Sequence, residues 1–185
     1  YKVQCLTVED RVYGVPFDSG TAGIFYRTDY LEQAGYSAED MVDITWPEMI
    51  EIAKAVREKT GKYAFDFLPS ECAFAWFDSA MQSTGEWFYD EEGNADFVNN
   101  KAVREMFDVV KELWNSDCVY RSASRDSAAV SAIQEGEVAF CLTAVWGSNT
   151  ITAGTDASGL WDYVPVPKLT TTDSASEYTN MGGSS

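Results

Sequence analysis

Short apolar runs in this chain alternate with longer stretches whose apolar residues recur every three to four positions, a pattern that predicts strands interleaved with helices. Residues 3–17 read as two short strands around the turn-like Glu9-Asp10-Arg11, and Arg11–Phe17 leads into the polar break Asp18-Ser19-Gly20-Thr21. Ala22–Tyr26 is an apolar run of strand length, followed by a short helix, Tyr30–Ala34, capped by Asp29 and ended by Gly35. Thr45-Trp46-Pro47-Glu48 is the clearest helix start, with Thr45 as cap, Glu48 reaching back and Pro47 in the first turn. Met49, Ile50, Ala53 and Val56 continue it as a buried stripe up to Gly61, and Tyr63–Leu68 reads as a strand.

An aromatic-rich helix is expected from Cys72 to Ser83, closed by Gly85. Trp87–Tyr89 and Ala95–Val98 flank a hairpin signal at residues 90–94. Asn99 or Asn100 caps a long amphipathic helix that lines Val103, Met106, Phe107, Val110, Leu113 and Trp114 along one face. A shorter helix, Ser127–Glu135, stops at Gly136. Val138–Val145 has the composition of a fully buried strand, and a helical turn begins at Trp146-Gly147-Ser148-Asn149. Asp162–Val166 is a further strand, and the Thr/Ser-rich stretch 170–176 reads as a loop. The expected class is α/β layering.

Charge narrows the partners. With 13 Lys+Arg against 30 Asp+Glu, the net charge of −17 repels phosphate backbones and disfavours a polybasic dock on anionic lipid. A neutral ligand or a partner with basic patches is compatible, and the simplest role of the acidity is solubility. Hydrophobic residues at 45% and charged residues at 23% fit a globular fold, and no apolar run reaches the roughly 18–20 residues of a membrane span. No basic segment leads into an apolar one as in a signal peptide. The chain opens on Tyr1 and stops at Ser185, so it is expected to be an excerpt of a longer protein.

Histidine is absent, which removes Ser-His and Cys-His nucleophiles and His-ligated metals and leaves carboxylates as the only general acid–base groups. Cys5, Cys72, Cys118 and Cys141 are widely spaced with no C-x-x-C, which argues against zinc or a redox pair. Their pairing is open. Cys72 and Cys141 stand among apolar neighbours and are expected to be buried free thiols.

Six tryptophans and ten tyrosines supply the flat faces that stack on sugar rings, and carboxylates and amides supply acceptors for sugar hydroxyls. Position matters more than abundance. Trp146 follows a buried strand, where ligands bind in open α/β folds; the competing reading is a core tryptophan covering the strand end. Asp18, Ser19 and Thr21 occupy a polar break between strands, against an ordinary turn. Glu71, Phe74 and Trp76 lie at a strand-to-helix junction after Pro69-Ser70; there Glu71 could simply suit the helix dipole, and Phe74 or Trp76 could be core. The acidic run Asp90-Glu91-Glu92 is a solvated tip and lacks the pattern of a calcium loop.

The run RVYGVPFDSGTAGIFYRTDYLEQAG resembles the segment of family 1 extracellular solute-binding proteins in which the chain crosses into the second lobe. Arg27 replaces that family's Asn. ITWPEMIEIAKAVREKTGKYAF is similar to its Pro-x-Thr-Trp-x-Glu helix, with Asp43 for the first Pro, and AIQEGEVAFCLTAVWGSN is similar to its signature ending in Gly-x-Trp, with Ile133 for Phe and Ala144 for Gly. WDYVPVPKL followed by MGGSS resembles the return crossing.

The resemblance implies a type II periplasmic-binding-protein-like fold, mainly the second (C-terminal) lobe with its hinge strands. Residues 1–19 would be a remnant of the first lobe leading into the hinge, 20–162 the second lobe, and 163–185 the hinge return and the start of a first-lobe segment. It further implies Trp146 stacking on sugar, Glu71 and Phe74 in an acidic-aromatic patch, Asp18, Ser19 and Thr21 at the hinge floor, and Gly182 and Gly183 facing the cleft. Ala73 stands where the maltose-binding member has an aromatic. The implied function is carbohydrate binding without chemistry, cofactor or metal, and delivery to the permease subunits of an ABC transporter. The protein would be a monomer, extracellular or periplasmic, touching membrane only through a lipid anchor outside this chain. Three alternatives remain: a glycoside hydrolase using a carboxylate pair such as Glu71 and Asp18, hand-over of the ligand to a sensor, and a non-sugar polar ligand such as a peptide.

Overall fold

The structure, a computed structural model, describes residues 2–69, 72–84, 87–90, 92–122, 127–153, 159–171 and 179–181, excluding the side chains of Lys2, Cys5, Cys72, Ala73, Phe74 and Asn180. A short helix α1 (Lys2–Cys5) and the hairpin β1 (Thr7–Val8) and β2 (Arg11–Val12) come first, with Thr7 opposite Val12. The main sheet is built from β3 (Thr21–Arg27), β4 (Tyr63–Phe67), β5 (Val119–Arg121), β6 (Val138–Ala144), β7 (Trp161–Pro165) and β8 (Thr179–Asn180). Its order is β5-β4-β6-β3-β7, with β8 also on β3. Burial throughout Val138–Ala144 explains why that stretch is apolar without alternation: β6 lies between two strands with helices on both faces.

Strand direction decides where the chain surfaces. β4 runs parallel to β5 and β6, whereas β3 is antiparallel to β6, β7 and β8. The carboxyl ends of all the other strands therefore share one sheet edge with the amino end of β3.

Helix α2 (Thr28–Gln33) follows β3, and the residue at its N-cap is Arg27, correcting the expectation of Asp29. Asp29 instead sits in the first turn as a carboxylate for Arg27, whose Nε and Nη2 both donate to it at 2.8 Å. Helix α3 (Trp46–Thr60) starts on the expected capping box: the Thr45 N–H and hydroxyl donate to Glu48 Oε2 at 2.9 and 2.6 Å. It ends at Gly61 in the left-handed region (φ 71°), which a side chain would strain.

After β4 the chain takes a π-helical turn, Cys72–Phe77, into α4 (Asp78–Thr84). Helix α5 (Lys101–Asn115) is capped by Asn100, whose Oδ1 accepts from the Val103 N–H at 3.0 Å. Its inner face carries Ala102, Val103, Met106, Val109 and Leu113, while Phe107 is exposed and meets Phe77 edge-on at 4.7 Å. Helix α6 (Ser127–Gln134) precedes β6, and α7 (Ser148–Thr152) follows a 3-10 turn at Val145–Gly147. Among the described residues, the expected hairpin over 87–98 is one bridge, Tyr89 to Ala95. The strands β5 and β8 were not expected from the sequence.

The larger core lies under α3, α4 and α5, with Ile24, Phe65, Phe67, Phe140 and Leu142 of the sheet. A smaller one joins Phe25 and Cys141 to Ile133 of α6 and Ile151 of α7. Cys118 and Cys141 are buried and neither forms a disulfide, as expected for Cys141; the side chain of Cys72 lies outside the described residues.

Candidate functional site

Three stretches meet where β3 begins and β6 ends. Pairing of Ala22 with both Ala144 and Thr179, and of Thr21 with Asn180, brings residues 18–21, the turn after β6 and the residue after β8 to one point on the shared edge. The Met181 N–H donates to the Gly20 carbonyl at 2.7 Å. Trp146 Nε1–H donates to the Met181 carbonyl at 3.2 Å. Gly20 is buried, and any Cβ there would run into the Met181 carbonyl and lie 3.1 Å from Trp146 Nε1. The close approach of the three backbones thus requires glycine at this position.

Trp146 is consequently fixed by its polar edge while 58% of the residue stays accessible. An exposed indole with a satisfied N–H offers an apolar face, suited to the C–H face of a sugar or another flat apolar group. Asp18, Ser19 and Thr21 are exposed, flank Gly20 in sequence, and add a carboxylate and two hydroxyls. The set can accept and donate hydrogen bonds to a polyhydroxylated ligand.

The other candidates distribute differently. Trp76, expected at the site, is a core residue at 4% exposure; its ring packs on Trp46, Phe65 and Phe67 with centroids 5.1–5.4 Å apart. The π-helical turn swings it over the sheet, leaving it no face for a ligand. Glu71, Gly182 and Gly183 lie outside the described residues, as does the side chain of Phe74. Among the described residues, Leu68 and Pro69 leave β4 at the same edge as Trp146. Among the described residues, no group of three His, Cys, Asp or Glu side chains could hold a metal ion.

Sequence reasoning missed the two backbone groups that set the indole, Gly20 and the Met181 carbonyl. Gly20 was visible as part of a polar break, but a main-chain carbonyl leaves no signature in the sequence. It also missed how the outgoing chain is held. Glu105 on α5 accepts from the Thr170 N–H and hydroxyl at 2.7 and 2.8 Å, and from the Thr171 N–H and hydroxyl at 2.9 and 2.6 Å. Burial pushes that carboxyl upward, but the hydrogen bonds from Thr171 and Thr170 outweigh it and hold its pKa below the ordinary glutamate value.

The family model for bacterial extracellular solute-binding proteins matches residues 3–183. The chain belongs to that family. A lactose-binding protein of Rhizobium radiobacter is 38% identical over 185 residues, which are 100% of this chain and 43% of the relative. The chain therefore spans less than half the length of this solute-binding relative. Among solved structures, the sugar-binding protein MalE from Xanthomonas citri aligns with a TM-score of 0.76 and 24% identity, over 90% of this chain and 42% of that one. The galacto-N-biose-/lacto-N-biose I-binding protein of the Bifidobacterium longum ABC transporter aligns at 0.75 and 20%, over 98% and 44%. These likenesses identify the fold as the type II periplasmic-binding-protein fold.

Proposed function

We propose that this chain forms most of one lobe of a protein that captures an extracellular carbohydrate, in particular a galactoside-containing disaccharide or short oligosaccharide, and delivers it to an ABC transporter. The observation that carries this reading is the indole of Trp146, anchored by its N–H and open on its face, beside Asp18, Ser19 and Thr21 at the sheet edge. The 38% identity to a protein named for lactose supports the ligand class. Residues 1–19 and 163–185 would lead to and from a second lobe supplied by the rest of the protein, with 20–162 as the body of this one.

The sugar stacks on Trp146, its hydroxyls pair with Asp18, Ser19, Thr21 and Glu71, and Phe74, Gly182 and Gly183 complete the wall. Closure of the absent lobe adds contacts and shifts an open–closed equilibrium through differential affinity. Permease subunits read the closed form. The protein acts as a monomer without catalysis, and a lipid anchor outside this chain holds it at the membrane. Titrating the complete protein with lactose, galactobiose, maltose and arabino-oligosaccharides, followed by tryptophan fluorescence, tests the proposal. Saturation with a galactoside is the expected result; silence across the panel from folded protein rejects it, and steady hydrolysis of the bound sugar rejects the non-catalytic part.

A further inference from the structure

Of the six tryptophans, Trp146 is exposed with its N–H bonded to the backbone carbonyl of the residue just after β8, 35 positions along the chain. That carbonyl belongs to Met181, and Met181 is in turn fixed to the Gly20 carbonyl by its own N–H. The chain of contacts thus runs Gly20 O, Met181 N–H, Met181 O, Trp146 Nε1–H, across residues 20, 181 and 146. No side chain but the indole takes part. Its geometry depends on the absence of a Cβ at Gly20, because a methyl group there would occupy the space of the Met181 carbonyl and crowd the indole nitrogen.

We propose that Gly20 and the Met181 carbonyl are a latch that positions the Trp146 ring for its ligand, so that Gly20 is a positioning residue for binding although it offers the ligand nothing itself. An exposed indole free to rotate about χ1 and χ2 would have to be ordered by the sugar, which costs affinity; an indole already held by its N–H is preorganised. The latch rests on the reading of Trp146 as the stacking residue. It deepens that reading by making the ring's orientation depend on how the outgoing strand lies against the incoming one.

Two measurements on the complete protein test it. In ligand-free protein labelled with 5-fluorotryptophan, the Trp146 resonance is assigned by its loss in Trp146→Phe. Gly20→Ala is expected to shift or broaden that resonance and leave those of the core tryptophans in place. In a double-mutant cycle read by lactose affinity, or by the best ligand of the panel, Gly20→Ala is expected to weaken binding about fivefold, the size of one ordinary hydrogen bond. In the Trp146→Phe background, where the donor is gone, the same change is expected to cost less than twofold. A third variant, Gly20→Ser, must follow Gly20→Ala in both readouts. An unmoved Trp146 resonance, or the same affinity loss in both backgrounds, overturns the latch. If Trp146→Phe and Trp146→Ala both bind as tightly as wild type while the resonance moves, the stacking assignment fails and the positioning role falls with it. General broadening of all tryptophan resonances identifies Gly20 as a folding residue and also overturns the proposal.

Discussion

Trp76 and Trp146 follow neighbouring parallel strands, β4 and β6, at the same edge of the sheet, yet one is buried and the other open. After β4, the π-helical turn Cys72–Phe77 folds back, and Trp76 fills the space between Trp46, Phe65 and Phe67. After β6, a 3-10 turn at Val145–Gly147 keeps Trp146 at the rim, where its only polar atom finds the Met181 carbonyl. A strand end supplies a place at the edge, and the turn that follows decides whether the side chain is buried in the core or left exposed at the rim.

The contrast predicts opposite phenotypes. Trp76→Ala should cost about 3–5 kcal/mol of stability in urea denaturation, through a cavity lined by three aromatic rings. A loss under about 1 kcal/mol would mean the turn can refold around the gap, and the core assignment would fail. Trp146→Ala should leave stability within about 0.5 kcal/mol. It should weaken sugar binding at least tenfold, about 1.4 kcal/mol, when titrated in the complete protein. Trp146 binding unchanged, or Trp76→Ala losing affinity with stability intact, would invert the comparison.

Glu105 sharpens it from the side of the outgoing chain. Because the folded protein depresses its pKa, the stabilisation is present above the unfolded value of about 4.3 and is lost as pH falls through the lower folded value. Glu105→Gln should therefore cost about 1 kcal/mol at neutral pH, discounted for partial exposure, and the deficit should shrink towards pH 3. An equal deficit at both pH values would show that charge is not the source. Thr45→Ala, which removes a hydroxyl from the capping box of α3 on the core side, should cost about 0.5–1 kcal/mol in the same assay and leave sugar affinity unchanged.

Most of the fold was legible because local rules and tertiary packing agree: the Thr45–Glu48 cap, the Gly61 stop, the Asn100 cap and the apolar run of β6 all act within a few residues. The failures have long-range causes. β8 has two residues and exists because β3 offers it pairing at Thr21 and Ala22. Asp29 looked like a cap, but bidentate pairing with Arg27 claims its carboxylate in the first turn of α2. The exposed position of Trp146 was readable from the strand before it. Trp76 was misread because the same logic applied to β4 ignored the turn that buries it, and the Met181 carbonyl was invisible because it belongs to the backbone.

The hydrogen bond from Met181 to Gly20 joins residues 161 positions apart at a separation of 2.7 Å. A stretch whose two ends meet in this way is, topologically, a cassette inserted into a host chain: it leaves and rejoins the rest of the polypeptide at a single point. Such a module disturbs its host least when exchanged, because the junctions keep their spacing whatever lies between them. On the proposed division into lobes, residues 20–181 are therefore the natural unit for transplanting this half of the proposed binding surface onto the scaffold of a relative, with the cuts made on either side of that hydrogen bond.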